Sequence, residues 1–85
     1  MEMKVSKTSD PKKVAGAIAG ALRNGETATV STVGPISVNQ AVKSIIIARG
    51  YLATNGIDIN TEPRFTQIDI EGEGRTGIIF ELTAK

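Results

Sequence analysis

Cysteine, histidine and tryptophan are all missing from the 85 residues. Without cysteine there is no disulfide framework and no thiolate metal site. Without histidine the chain lacks the commonest general base and the commonest zinc ligand. Aromatics are scarce: Tyr51, Phe65 and Phe80. A sheet that stacks bases needs two or three exposed rings, and Phe80 falls in a core-like register. No apolar run approaches the ~20 residues required to span a bilayer. The opening MEMKVSKTSDPKK has no apolar stretch of the kind a signal peptide carries. These absences leave a cytoplasmic protein, with no membrane contact, no metal and no cofactor, as the expectation.

A chain this short is expected to form one domain over residues 1–85 and to gain from association, because small cores bury too little surface. The net charge is +1 but unevenly spread. Residues 1–50 hold seven Lys or Arg against three acids, a balance of +4. Residues 51–85 hold three against six, a balance of −3. Such polarity can present a basic face on a nearly neutral molecule, or it can be ordinary solvated surface.

Local signals divide the chain. Met3 to Lys7 reads as a short strand. Asp10-Pro11 then starts a helix, with Asp10 as N-cap and Pro11 at the first helical position. Val14, Ala17, Ile18, Ala21 and Leu22 form its apolar stripe. Gly16 and Gly20 within it suggest close approach to a neighbouring element. Thr27 to Val33 is a Thr/Val-rich strand, with Ala28, Val30 and Thr32 on one face. Gly34-Pro35 turns into a second helix from Val38 to about Ala53. Ser37 and Gln40 have the S-x-x-Q spacing of a capping box. Ile46 and Ile47 lie outside that helix's main stripe. With the strand after Gly56, they are the expected surface for a second subunit. Ile57–Asn60 and Phe65–Glu71 read as one interrupted strand, with Pro63 marking an edge or a bend. Glu71-Gly72-Glu73-Gly74-Arg75 reads as a hairpin, and Thr76–Thr83 as the last strand. The order β-α-β-α-β-β predicts an α+β two-layer sandwich: a four-stranded mixed sheet with two helices on one face.

Four segments carry a resemblance to a known family. They are Val14–Gly20, Asn39–Lys43, Ile47–Gly50, and Asp69–Glu73 with Arg75-Thr76. Together they resemble the stage V sporulation protein S family, whose fold is similar to that of the archaeal Alba chromatin proteins. The resemblance covers nearly the whole chain. It implies a bacterial protein of sporulation or developmental regulation that binds DNA or RNA, chiefly through phosphates, as a homodimer. Alba-type proteins use lysines near the first helix start, basic residues in the loop before the second helix, and a hairpin that reaches into a groove. Carried over, this implies Lys7, Lys12 and Lys13 at the first helix and Arg75 on the hairpin. The Gly34–Ser37 loop holds no cation, so Lys43 and Arg49 on the second helix are the nearby charges. Asn39 and Gln40 are the candidate polar contacts.

The alternative expectation is a protein–protein adaptor on the same fold, with little nucleic-acid affinity. The cation-free loop and the acids Glu71 and Glu73 on the hairpin favour it. An enzyme is not expected. Asp69 and Glu71 alternate with Ile68 and Ile70, the pattern of a solvent-facing row. Ser37 and Ser44 have no histidine to activate them.

Overall fold

In a computed structural model that describes residues 1–85, the elements are β1 (Glu2–Lys4), α1 (Pro11–Arg23), β2 (Ala28–Thr32), α2 (Pro35–Ala53), β3 (Ile59–Ile70) and β4 (Glu73–Ala84). The strands form one mixed sheet in the order β1-β2-β4-β3. β1 runs parallel to β2, while β4 runs antiparallel to both β2 and β3. The expected α+β arrangement holds. β1 is shorter than expected, although Val5, just past its end, is buried in the core. The two segments read as an interrupted strand are one strand, and Pro63 lies within β3, an edge strand, where a residue without an N–H is tolerated.

Alternation decides the sheet's inner face. Ala28, Val30 and Thr32 of β2 stand opposite Leu82, Phe80 and Ile78 of β4, and five of these six are buried. Phe80 is core, as its register suggested. Thr32 satisfies its buried hydroxyl by donating to the Ile78 carbonyl at 2.8 Å. Leu82 is fully buried, and its truncation to alanine should cost about 2–5 kcal/mol through lost transfer energy and the cavity left behind.

The helices meet each other more extensively than they meet the sheet. Small side chains make that approach possible: Ala15 and Ala19 on α1, with Ala41, Ser44 and Ala48 on α2, are all fully buried. The glycines suspected of this role do not fill it. A Cβ added to Gly16 or Gly20 would meet nothing within 4 Å. The buried stripe of α1 is therefore Ala15, Ile18, Ala19, Ala21 and Leu22, with Val14 at its margin and Ala17 exposed.

A two-stranded arm leaves the sheet. β2 ends at Thr32, opposite Ile78. From Thr66 and Gly77 outward, β3 and β4 pair only with each other, over five rungs to Ile70 and Glu73. At strand spacing that is roughly 17 Å of free ribbon. The arm contributes to the molecule's 43 Å long axis. Its turn is Glu71-Gly72, with φ 52° and 82°, a two-residue turn whose positive φ matches the twist of the strands. Gly77 is where the arm departs. A Cβ there would lie 2.6 Å from the Thr32 carbonyl oxygen and 2.9 Å from Ile68 Cδ1, so only glycine fits.

Candidate nucleic-acid interface

The two helix starts differ in how their free N–H groups are used. At α1, Asp10 is the N-cap and its Oδ1 accepts from the Lys12 amide at 3.0 Å. Pro11 has no N–H to satisfy. At α2 the expected capping box is absent. The helix begins two residues before Ser37: Gly34 is the N-cap, at φ 91°, and Pro35 takes the first helical position. Gly34 offers no side chain, and the first backbone bond runs from the Val38 amide to the Gly34 carbonyl at 3.1 Å. The Ile36 and Ser37 amides make no hydrogen bond to the protein.

Gln40 is used elsewhere. Its Nε2 donates to the Ser9 carbonyl at 3.0 Å, which ties the β1–α1 loop to α2. Within that loop the Ser6 amide donates to Ser9 Oγ at 2.9 Å, and the Ser6 hydroxyl lies 3.1 Å from Thr8 Oγ1. Lys7 stands in the middle of this knot. The Gln40 Nε2 is thus engaged within the protein, while its Oε1 has no protein partner.

Two shallow recesses flank the tied loop. One, of about 490 Å³, is lined by Asp10, Pro11, Lys12, Lys43, Ile46 and Ile47. The other, of about 300 Å³, joins Lys7 and Arg75 to the start of α2 at Gly34–Ser37. The fold therefore brings Lys12 to Lys43 in one recess and Lys7 to Arg75 in the other. Lys13 is exposed beside them on α1 but lines neither recess. Asn39 is exposed on the second turn of α2.

Arg49 does not join the group. It lies about four turns along α2, roughly 22 Å from Gly34 at the helical rise. There its Nε sits 3.7 Å from Asp58 Oδ1. The only other ion pair is Arg64 with Glu81, at 4.0 Å. Lys7, Lys12, Lys13, Lys43 and Arg75 are all without a carboxylate partner. The acids of the hairpin, Asp69, Glu71 and Glu73, are equally unpaired and exposed at the arm's far end. Asp69 does face solvent, whereas Glu71 is in the turn rather than on the strand.

Comparison with known proteins decides the family. The family model for stage V sporulation protein S matches residues 1–85. The chain belongs to that family. Among solved structures it is similar to Alba from Thermoplasma volcanium, with a TM-score of 0.64 and 13% identity. That alignment covers 100% of this chain and 99% of the other. At that identity the likeness establishes an Alba-like fold for this family member and nothing finer. No helix is long and apolar enough to cross a membrane.

Ser37 reads in the sequence as a cap, and the structure places it inside the first turn of α2 instead. It is only 7% exposed, it has no hydrogen-bond partner, and it lines the recess at the α2 start. The signal that could have exposed it is the Gly34-Pro35 pair, which already supplies a helix start two residues earlier.

Proposed function

We propose that this family member is a non-enzymatic, cytoplasmic, single-domain regulatory protein that binds DNA or RNA through phosphates in sporulation or development. The observation that supports the reading is that unpaired cations line two recesses, Lys12 with Lys43 in one, and Lys7 with Arg75 beside the open start of α2 in the other. Lys13 and Asn39 extend the same surface. Phosphates would be met by point charges and by free N–H groups at a helix N-terminus. Few cations take part, so affinity is modest and falls steeply with salt. Sequence readout is weak, because phosphate contacts position a duplex without reading it.

The partner that completes the particle is a second copy. The helices pack chiefly on each other and then on β2 and β4, and beyond the buried Ile59 they leave most of β3 exposed. Phe65 is 78% exposed on the helix side of β3, beside Pro63 and Ile78. Val38 lines the same ground, and Val42 is exposed one turn further along α2. An apolar patch of this kind on a small chain suits burial between subunits. The strand after Gly56 is retained in this dimer face, while Ile46 and Ile47 are not. Ile47 packs on the core, and Ile46 shares its recess with Lys12 and Lys43. Light scattering tests the dimer: it predicts twice the monomer mass for the natural chain and a monomer for Phe65→Glu.

A specific observation favours the adaptor reading as well: three exposed acids at the arm tip against one Arg75. Salt-titrated binding of duplex DNA, single-stranded DNA and RNA separates the two. Salt-sensitive binding to one of them, weakened in Lys12→Ala/Lys43→Ala, supports nucleic-acid binding. No binding to any of the three at low salt overturns it in favour of the adaptor.

A further inference from the structure

The recess between Lys7, Arg75 and the start of α2 has more donors than a backbone phosphate can use. The free Ile36 and Ser37 amides open at this helix start, which no side chain caps. Ser37 adds a hydroxyl. The residue is more than nine-tenths buried, its oxygen has no protein partner, and it lines the recess. No buried side-chain oxygen in the molecule is both unpartnered and sealed from solvent, so the Ser37 hydroxyl keeps access to this space. Lys7 and Arg75 close the set from the loop and from the arm, and neither is engaged by a carboxylate. The walls are otherwise apolar: Val33, Pro35 and Ile36.

A phosphodiester within a strand has a single negative charge and two free oxygens. A phosphate monoester has a charge of about −1.5 to −2 at neutral pH and three strong acceptor oxygens. Two full positive charges, the partial charge of a helix start and the unpartnered Ser37 hydroxyl match the monoester better. Gly34 contributes by what it lacks. A cap side chain there would occupy one of the donors, as Asp10 does at α1.

We infer that the α2-start recess is a phosphate-monoester site, which holds the terminal phosphate of a strand or the phosphate of a free mononucleotide. The strand-end form rests on the nucleic-acid reading given above; the mononucleotide form does not. The site gives this protein a preference for phosphorylated ends that the lysines of the neighbouring recess do not supply.

The test compares short single-stranded oligonucleotides with a 5′-phosphate or a 5′-hydroxyl, together with adenosine monophosphate and inorganic phosphate. Binding is read by fluorescence anisotropy for the strands and by amide chemical shifts for the small ligands. The phosphorylated strand is expected to bind about 10-fold more tightly, and Ser37→Ala and Arg75→Gln each to remove most of that preference. Both residues are free of hydrogen bonds and ion pairs within the protein, so the variants keep the fold, which their amide spectra verify. Equal, salt-sensitive binding of both strands, with no shift of the Ile36 and Ser37 amides by either small ligand, overturns the inference and leaves the nucleic-acid reading standing. Shifts of these amides by adenosine monophosphate without strand binding support the site as a mononucleotide pocket and overturn the nucleic-acid reading. Silence toward every ligand overturns both.

Discussion

Two helix starts, built from almost the same letters, are finished in opposite ways. Asp10-Pro11 opens α1 and Gly34-Pro35 opens α2. Asp10 turns its carboxylate onto the Lys12 amide, so α1 satisfies part of its own N-terminal charge. Gly34 takes a backbone conformation that other residues avoid and leaves the Ile36 and Ser37 amides open. The difference separates structural capping from capacity to bind. The start of α1 has one amide capped by a side chain, while the start of α2 has none, with Lys7 and Arg75 beside it.

The comparison can be broken most forcefully by removing the cations. Lys7→Ala/Lys12→Ala/Lys43→Ala should weaken nucleic-acid binding at moderate salt more than any other change. The slope of log affinity against log salt should become shallower by roughly 2 to 3, at about 0.7–0.9 per phosphate contact. A slope unchanged from the natural chain would place binding elsewhere. Next in size is Gly34→Ala. No atom lies in the way of its Cβ, but φ 91° is strained for alanine, and stability should fall by about 1–3 kcal/mol in urea unfolding. Asp10→Ala should cost about 1 kcal/mol, because α1 loses its cap. It should leave binding at α2 intact. A few-fold gain in affinity is expected of Glu71→Lys/Glu73→Lys, which reverses the acidic arm tip; an unchanged affinity would mean that the arm stays clear of the ligand. The smallest effect belongs to Arg49→Ala. Its exposed ion pair with Asp58 contributes within about 1 kcal/mol, and binding should be unaffected.

The order of elements was legible because its signals are local. Asp10-Pro11 announces a helix within two residues, and the alternation of Ala28, Val30 and Thr32 announces a half-buried strand. Where two local signals compete, the earlier helix start prevails. Ser37 and Gln40 have capping-box spacing, but Gly34-Pro35 starts the helix sooner, and Ser37 then falls inside the first turn. Gly77 gave no sign of its role, since the atom that forbids a side chain there belongs to Thr32 on another strand. The basic residues of the candidate site were legible as types and not as a cluster. Folding brings Lys12 beside Lys43 and Lys7 beside Arg75, and it sends Arg49 to Asp58 at the far end of α2. Gln40 reads as a ligand contact until its amide is seen on the Ser9 carbonyl.

Titration of the isotopically labelled protein with a short duplex, followed by amide chemical shifts at low salt, tests the central claim most directly. The account predicts the largest shifts at Lys7, Lys12, Ile36, Ser37 and Lys43, with little change at Arg49. Shifts centred on the outer face of the sheet, around Thr29, Ser31 and Glu81, would contradict it, as would a spectrum that does not move.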